Sequence, residues 1–405
     1  MQHGSSPIAY IVPESGWATP FARWQGAFAE LHSLKFAAWT GKRALDERGL
    51  DLGEIDAGVL GFSVPQQGSF YGLPWVAGMM DAPHLAGPSI MQACATSARC
   101  LALAAGEIAA GRSDASLVIT ADRVSNGPNI YYPSPSAPGG TGETENWVLD
   151  NFSKDPFAGV AMVETAENVA REYAISRDEQ DDLTLARYAQ YDDALKHDRA
   201  FHSRFMQLPF DVPDPRFKRS ATSIDGDQGV QPVDEAKLRG LRPVIEGGTV
   251  TFAGQTHPAD GNAGVIVASQ GKARALAPNA DYDIAILGVG QARVEPAFMP
   301  KAPVPASKAA LENAELNITD IDAVKSHNPF AVNDIVFSRE TGFALEAMNN
   351  YGCSLVWGHP QGPTGLRAII ELIHELVLRG GGRGLFQGCA AGDSAMAVVI
   401  EVTDR

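Results

Sequence analysis

Four side chains in this sequence have the type and placement for nucleophilic chemistry at a carbonyl carbon: Cys94, His327, His359 and Cys389. Cys94 stands just ahead of a small-residue run with helical spacing over 95–111, and an apolar run with strand character follows at 116–120. The first turn of a helix leaves its amides unpaired and carries the positive end of the dipole. A thiol placed there has its thiolate favoured, and the thiolate is the nucleophilic form. His359 lies in a glycine- and proline-rich turn, 358–365, where side chains are rarely needed for packing. His327 follows an apolar strand over 321–325, at the end where ligands collect in α/β sheets. Cys389 precedes Ala390-Ala391-Gly392, a small-residue turn whose amides can face a ligand. Each has a plainer alternative, the thiols as buried small hydrophobes and the histidines as hydrogen-bonded core residues. A cysteine nucleophile needs a base within reach and donors for a developing oxyanion, and together the four would supply such a set.

The elements that must position these residues alternate between strand and helix. Strand character occurs at 8–12, 55–63 and 116–120, with helical spacing over 31–48 and 95–111. That alternation predicts a sheet with parallel strands covered by helices. Residues 123–142 are rich in Pro, Ser, Gly and Tyr and read as an irregular excursion. One long helical stretch over 161–196 carries a capping box at Ser176 and Glu179. The densest basic patch follows, Arg216-Phe217-Lys218-Arg219, either a solvated face or a phosphate contact. Strand and helix signals resume at 248–268 and continue to 402. The two ends share one plan of strand, tight approach with a reactive residue, helix and strand, with Cys94 in the first and His359 in the second.

Composition narrows the partners. The chain has 405 residues, 45% hydrophobic and 20% charged, as in an ordinary globular protein. A net charge of −16 argues against nucleic acid or an anionic membrane as the main partner, while leaving room for a phosphate-bearing ligand on a local basic patch. Four cysteines without a C-x-x-C pair predict neither a zinc ribbon nor a disulfide scaffold, and point to a reducing compartment. No apolar run approaches the roughly 18 residues of a membrane span, and the N-terminus lacks signal-peptide features. A cytoplasmic location is the expectation.

Taken in order, the segments resemble the thiolase family from near the start of the chain to its end. The stretch around Cys94 resembles the family's nucleophile segment. MVETAENVA at 162–170 followed by ISRDEQD at 175–181 resembles its loop-domain helix, and GTVT at 248–251 and GQARVEPAFM at 290–299 are family-like. Gly358-His359-Pro360-Gln361-Gly362-Pro363-Thr364-Gly365 matches the GHPxGxxG signature, the most specific of these motifs.

The resemblance implies an α/β thiolase fold, two similar α/β halves in a layered αβαβα arrangement with an inserted loop domain. It places the N-terminal half at 1–122, completed by about 241–275, the loop domain at 123–240 and the C-terminal half at 276–405. It implies an acyltransferase that cleaves a 3-oxoacyl-CoA with coenzyme A as co-substrate, without a metal or a permanently bound cofactor. Cys94 would be acylated, His359 would activate it, and Cys389 would move a proton at the substrate's α carbon. The amides of Cys94 and of the turn after Cys389 would form one oxyanion hole, and His359 with His327 the other. Phe330 and the basic residues Arg216, Lys218 and Arg219 would lie near coenzyme A. A homodimer or homotetramer is implied as the assembly.

Departures from the family pattern bear on the substrate. His327-Asn328-Pro329-Phe330 replaces Asn-Glu-x-Phe and resembles the sterol-carrier-protein type of thiolase. The same loop resembles catalytic subunits that work beside a small zinc-binding partner, such as benzoylsuccinyl-CoA thiolases. Ala391 stands where a glycine is usual, and AGQTHPADG at 253–261 and GCSLVW at 352–357 replace the usual runs. These changes suggest a bulky, branched or aromatic acyl group in a degradative reaction. The alternatives are a biosynthetic Claisen condensation by the same site and a catalytically silent acyl-CoA-binding subunit.

Overall fold

The computed structural model of the chain describes residues 7–405. A mixed eleven-stranded sheet runs through the molecule. Nine strands form its continuous path: β1 (Ala9–Ile11), β2 (Ala57–Gly61), β3 (Ser89–Ile90), β4 (Ala115–Arg123), β5 (Ala259–Ala268), β6 (Tyr282–Arg293), β7 (Ala323–His327), β8 (Gly382–Ala390) and β9 (Ser394–Asp404). Their spatial order is β7-β8-β9-β6-β1-β5-β4-β2-β3, and two short strands, Trp17–Ala18 and Ala22–Arg23, pair with β5.

The topological repeat seen in the sequence is present strand for strand. In the first half β2 is parallel to β4, β4 antiparallel to β5, and β5 antiparallel to β1. In the second, β7 is parallel to β8, β8 antiparallel to β9, and β9 antiparallel to β6. β1 joins the halves by pairing with β6 on its other edge. The predicted parallel sheet is therefore mixed. β8 and β9 are joined by residues 391–393 alone, too short for the crossover that a parallel pair requires, so they form a hairpin. All ten residues of β5 are buried, which is why the strand lacks the alternation of a half-exposed one.

The helices that position the site are α1 (Ser33–Glu47), α2 (Thr96–Ala109), α3 (Met162–Glu172), α4 (Arg177–Arg199), α5 (Pro303–Asn313), α6 (Ala331–Thr341) and α7 (Gly362–Leu378). α2 and α7 lie together in the middle and touch strands of both halves, while α1 covers β4 and β5 from outside and α5 covers β6 and β9. This is the layered αβαβα order. Residues 362–376 of α7 are buried without exception, as expected of a helix enclosed on all sides. α2 and α7 approach closely enough for Ser97 Oγ to donate to the carbonyl of Gly362. A Cβ on Gly365 would lie 3.1 Å from Ser97 Cβ and 3.0 Å from the Phe386 ring, so a larger residue would press on both neighbours at this crossing.

Between β4 and β5, residues 124–258 form a long connection carrying α3, α4 and two hairpins, Asn129–Tyr132 with Glu143–Asn146 and Phe210–Pro213 with Ser220–Ile224. The stretch read as irregular thus contains part of a hairpin. The long helix expected over 161–196 is two helices, because Ala174 takes a left-handed φ of 49° and Ser176 caps a new start. Ser176 Oγ accepts from the Glu179 amide, and the Glu179 carboxylate accepts from the Ser176 amide at 2.9 Å. Among the described residues no helix is long and apolar enough to cross a membrane.

Buried charges tie this connection to α7. Arg367 on α7 donates to Glu371 at 3.0 Å and to both oxygens of Asp227 at 2.5 and 2.8 Å, and Tyr191 of α4 donates to Asp227 at 2.9 Å. Lys325 of β7 donates to Glu371 at 3.0 Å. The side chains of Arg367, Asp227, Glu371 and Lys325 have no exposed surface. Removing one partner of such a cluster leaves a buried charge in excess. Asp227→Ala is therefore expected to destabilise the fold by about 3–5 kcal/mol, measured as a lower denaturant midpoint at unchanged slope.

Candidate active site

Cys94 is set by a strained turn between β3 and α2. Ala93, the residue before it, has φ 43°, in the left-handed region that alanine seldom visits. Thr96 holds the turn closed: its hydroxyl donates to the Ala93 carbonyl at 2.7 Å and accepts from the Gln92 amide at 2.9 Å. Cys94 is a half-buried residue on the wall of a cavity of about 830 Å³.

His359 reaches the same point from the other half. Its loop is pinned on one side by pairing with 257–259, where the His359 amide donates to the His257 carbonyl at 2.8 Å. On the other side the Asp122 carboxylate, at the end of β4, accepts from the amides of Ser63, Val64 and Gly362, each at 2.8 Å. One carboxylate from the first half thus anchors the start of α7 in the second. Burial raises the Asp122 carboxyl to about 7, and the amide bonds work against that rise.

The result is a Cys–His pair. His359 Nε2 lies 3.0 Å from Cys94 Sγ, and His359 Nδ1 lies 2.7 Å from Thr364 Oγ1 in the first turn of α7. With Nδ1–H given to Thr364, Nε2 is free to accept the thiol proton. His327, at the end of β7, stacks on His359 with ring centroids 4.1 Å apart and planes 25° from parallel. Its Nδ1 lies 2.9 Å from Ser354 Oγ, while its buried Nε2 has no partner among the described residues. Cys389, at the end of β8, accepts from Asn333 Nδ2 at 3.3 Å. The Ala391 amide, in the turn just after it, lies near Cys94 and favours its ionised form.

Electrostatics alter one expectation from the sequence. Burial pushes the Cys94 thiol up to about 12, although the Ala391 amide and the residue's own amide pull the other way. Burial, together with His327 and His257, holds His359 well below its usual 6.5, and burial alone takes His327 down to about 3. The resting pair is therefore a neutral thiol and a neutral imidazole rather than a preformed thiolate. The helix start does not outweigh removal of the sulfur from water. A sulfur in that state needs a base to take its proton before it can attack, and His359 Nε2 is within reach of it.

Cys94, His327 and His359 each offer a ligand atom within 4.8 Å of the others. Near-parallel rings aim their in-plane lone pairs side by side rather than at one point, a poor arrangement for a shared metal ion. His327 and Cys389 sit behind Cys94 and His359, fully buried and off the cavity wall. Phe330 is on the wall. Arg216, Lys218 and Arg219 are exposed in the turn of the 210–224 hairpin and do not line the cavity. Thr364, Ser354, Asn333 and Asp122 were not singled out in the sequence. Thr364 lies inside the quoted turn, five residues after His359, a spacing that could have suggested it; the other three need the folded chain.

Residues 11–271 match the family described as thiolase, N-terminal domain, and residues 282–402 match thiolase, C-terminal domain. Acetyl-CoA acetyltransferase IA of Candida tropicalis is 30% identical over 409 residues, covering 98% of this chain and 98% of that protein. An acetyl-CoA acetyltransferase of Rhizobium meliloti (strain 1021) is 28% identical over 400 residues, 96% of this chain and 98% of the relative. Human mitochondrial 3-ketoacyl-CoA thiolase in complex with CoA shares the fold, with a TM-score of 0.88 at 24% identity over 99% of this chain and 100% of that one. Both family domains are matched in order along one chain whose two halves meet at a Cys–His pair, and the chain belongs to the thiolase family of acyltransferases.

Proposed function

We propose that this protein cleaves a 3-oxoacyl-CoA with coenzyme A through an acyl-Cys94 intermediate, in the degradative direction. The observation that carries the reading is the 3.0 Å contact between Cys94 Sγ and His359 Nε2 on the wall of a large cavity. The thiol proton moves to His359 as sulfur attacks the 3-keto carbon. The bond between the α and β carbons then breaks, and its electron pair leaves as the enolate of the departing acyl-CoA. Cys389 protonates that enolate at the α carbon and becomes a thiolate. It then takes the proton of coenzyme A, whose sulfur attacks acyl-Cys94 and expels the Cys94 thiolate. His359 returns its proton and the site is restored. The amides of Cys94 and Ala391 receive the oxyanion on the acyl group, and His327 with His359 receives the enolate oxygen. One such donor supplies about 3–4 kcal/mol of barrier reduction.

The cavity supports a bulky, branched or aromatic acyl group. Its wall includes Tyr132, Trp147, Phe152, Met162, Met299 and Phe330, large apolar surfaces well beyond what a two-carbon acyl group fills. Phe330 borders the pantetheine path, and Arg216, Lys218 and Arg219, outside the cavity, remain for the nucleotide end of coenzyme A. The domain division at 123–240, a cytoplasmic location and a homodimer or homotetramer complete the reading. A small zinc-binding partner is its further element, and a purified homo-oligomer with full activity would remove it. A panel of short, branched and aromatic 3-oxoacyl-CoA thioesters tests the acyl preference. Branched or aromatic members are expected to exceed acetoacetyl-CoA in kcat/KM by at least about tenfold, the scale of a few buried methylenes. Acetoacetyl-CoA as the best substrate would overturn the preference and leave the thiolysis itself standing.

A further inference from the structure

We propose that Ser354 is a positioning residue whose hydroxyl donates to His327 Nδ1 and so fixes the tautomer that makes Nε2–H a hydrogen-bond donor beside Cys94 and His359. The proposal rests on the oxyanion role given to His327 above. Neutral imidazole has one N–H, and whichever nitrogen carries it decides whether the ring offers the substrate a proton or a lone pair. Only the Nε2–H form can stabilise an enolate oxygen.

Ser354 Oγ has three polar neighbours and one proton to give. His327 Nδ1 is at 2.9 Å, the Asn328 amide at 3.1 Å and Asn328 Oδ1 at 3.1 Å. The Asn328 amide is a donor and occupies a lone pair of Oγ. Asn328 Oδ1 already accepts from the Leu355 amide at 3.1 Å. The side chain of Asn328 is fixed in that orientation, because its Nδ2 donates to Asp334 at 2.7 Å. Asp334 is itself held by Arg187 at 3.0 Å and by Ser326 at 2.6 Å. Asn328 Oδ1, toward which the hydroxyl can also donate, already has one donor, so the geometry assigns the Ser354 proton to His327 Nδ1, the nearer acceptor. Burial keeps the ring neutral, so the remaining hydrogen sits on Nε2, the buried atom that has no partner among the described residues. A buried polar atom left so calls for a partner from outside the chain, a water or a ligand oxygen.

Histidine-labelled protein examined by 15N NMR, with His327 assigned by the signals lost in His327→Asn, reads the tautomer directly. The expected spectrum has a protonated Nε2 and a bare, hydrogen-bonded Nδ1. Ser354→Ala is expected to move the Nδ1 signal and lower kcat about tenfold, with KM for the acyl-CoA held within about twofold. Ser354→Thr, which keeps the hydroxyl, is expected to restore most of kcat. A protonated Nδ1 in the wild type overturns the proposal, as does a Ser354→Ala enzyme with full kcat. Equal slowing by alanine and threonine would assign the loss to packing and overturn it too. His327→Ala separates the two levels. A slow His327→Ala beside a full-speed Ser354→Ala overturns only the role of Ser354, whereas an unimpaired His327→Ala removes the oxyanion role and this proposal with it.

Discussion

Cys94→Ala is expected to abolish thiolysis, lowering kcat by about 10⁵- to 10⁶-fold while the protein stays folded, since loss of a covalent nucleophile has effects of that size. The size of the loss follows from the absence of a substitute. Cys389 is held by Asn333 and is assigned to the α carbon rather than the 3-keto carbon, and Cys100 and Cys353 are buried elsewhere. A methyl group in place of the thiol keeps the turn, because Thr96 rather than the sulfur closes it. Circular dichroism and the denaturation midpoint should therefore match wild type while steady-state turnover is lost. Turnover within tenfold of wild type would mean that another group attacks the substrate.

His359→Ala is expected to cost about 10³- to 10⁴-fold, at the upper end for a general base, because this nucleophile is poorly ionised without one. With its thiol at about 12, Cys94 alone would be ionised in only about one molecule in 10⁴ at about pH 8. Two pH signatures follow. The variant should gain rate about tenfold per pH unit through the neutral and mildly alkaline range, as hydroxide replaces the base. The wild type should behave otherwise, because His359 is held well below 6.5 and so stays neutral on the acid side of that value. Its kcat/KM should be level from about pH 8 down to 6.5, where an ordinary histidine would already be half protonated, and should fall only below that. An acid limb centred at or above 6.5 would contradict the burial of this pair.

The four side chains that the fold gathers around Cys94 were legible because each sits at an element end beside small or turn-forming residues, a pattern that sequence displays. The halves were legible for a related reason: each repeats strand, approach, helix and strand, and the sheet repeats the same pairing. Other features depend on what meets in space. Asp122 is an acid at the end of a strand, and nothing near it in sequence says that it will anchor Gly362, 240 residues away. Ser354 and Asn333 reach His327 and Cys389 across loops whose approach only the fold determines. The predicted thiolate failed for the same reason. The helix start is local and visible, whereas the burial that opposes it is contributed by the other half of the molecule. The helix break at Ala174 was visible in part, since the capping box at Ser176 and Glu179 was recognised without the chain break it marks.

Trapping of the acyl-enzyme tests the central claim most directly. The wild-type protein would be mixed with a cognate 3-oxoacyl-CoA in the absence of free coenzyme A, quenched in acid and digested for peptide mass analysis. The expected result is one acyl group per chain on the peptide carrying Cys94, removed when coenzyme A is added before the quench. An acyl group on Cys389 or any other residue, or steady turnover with Cys94 unmodified throughout, would contradict it.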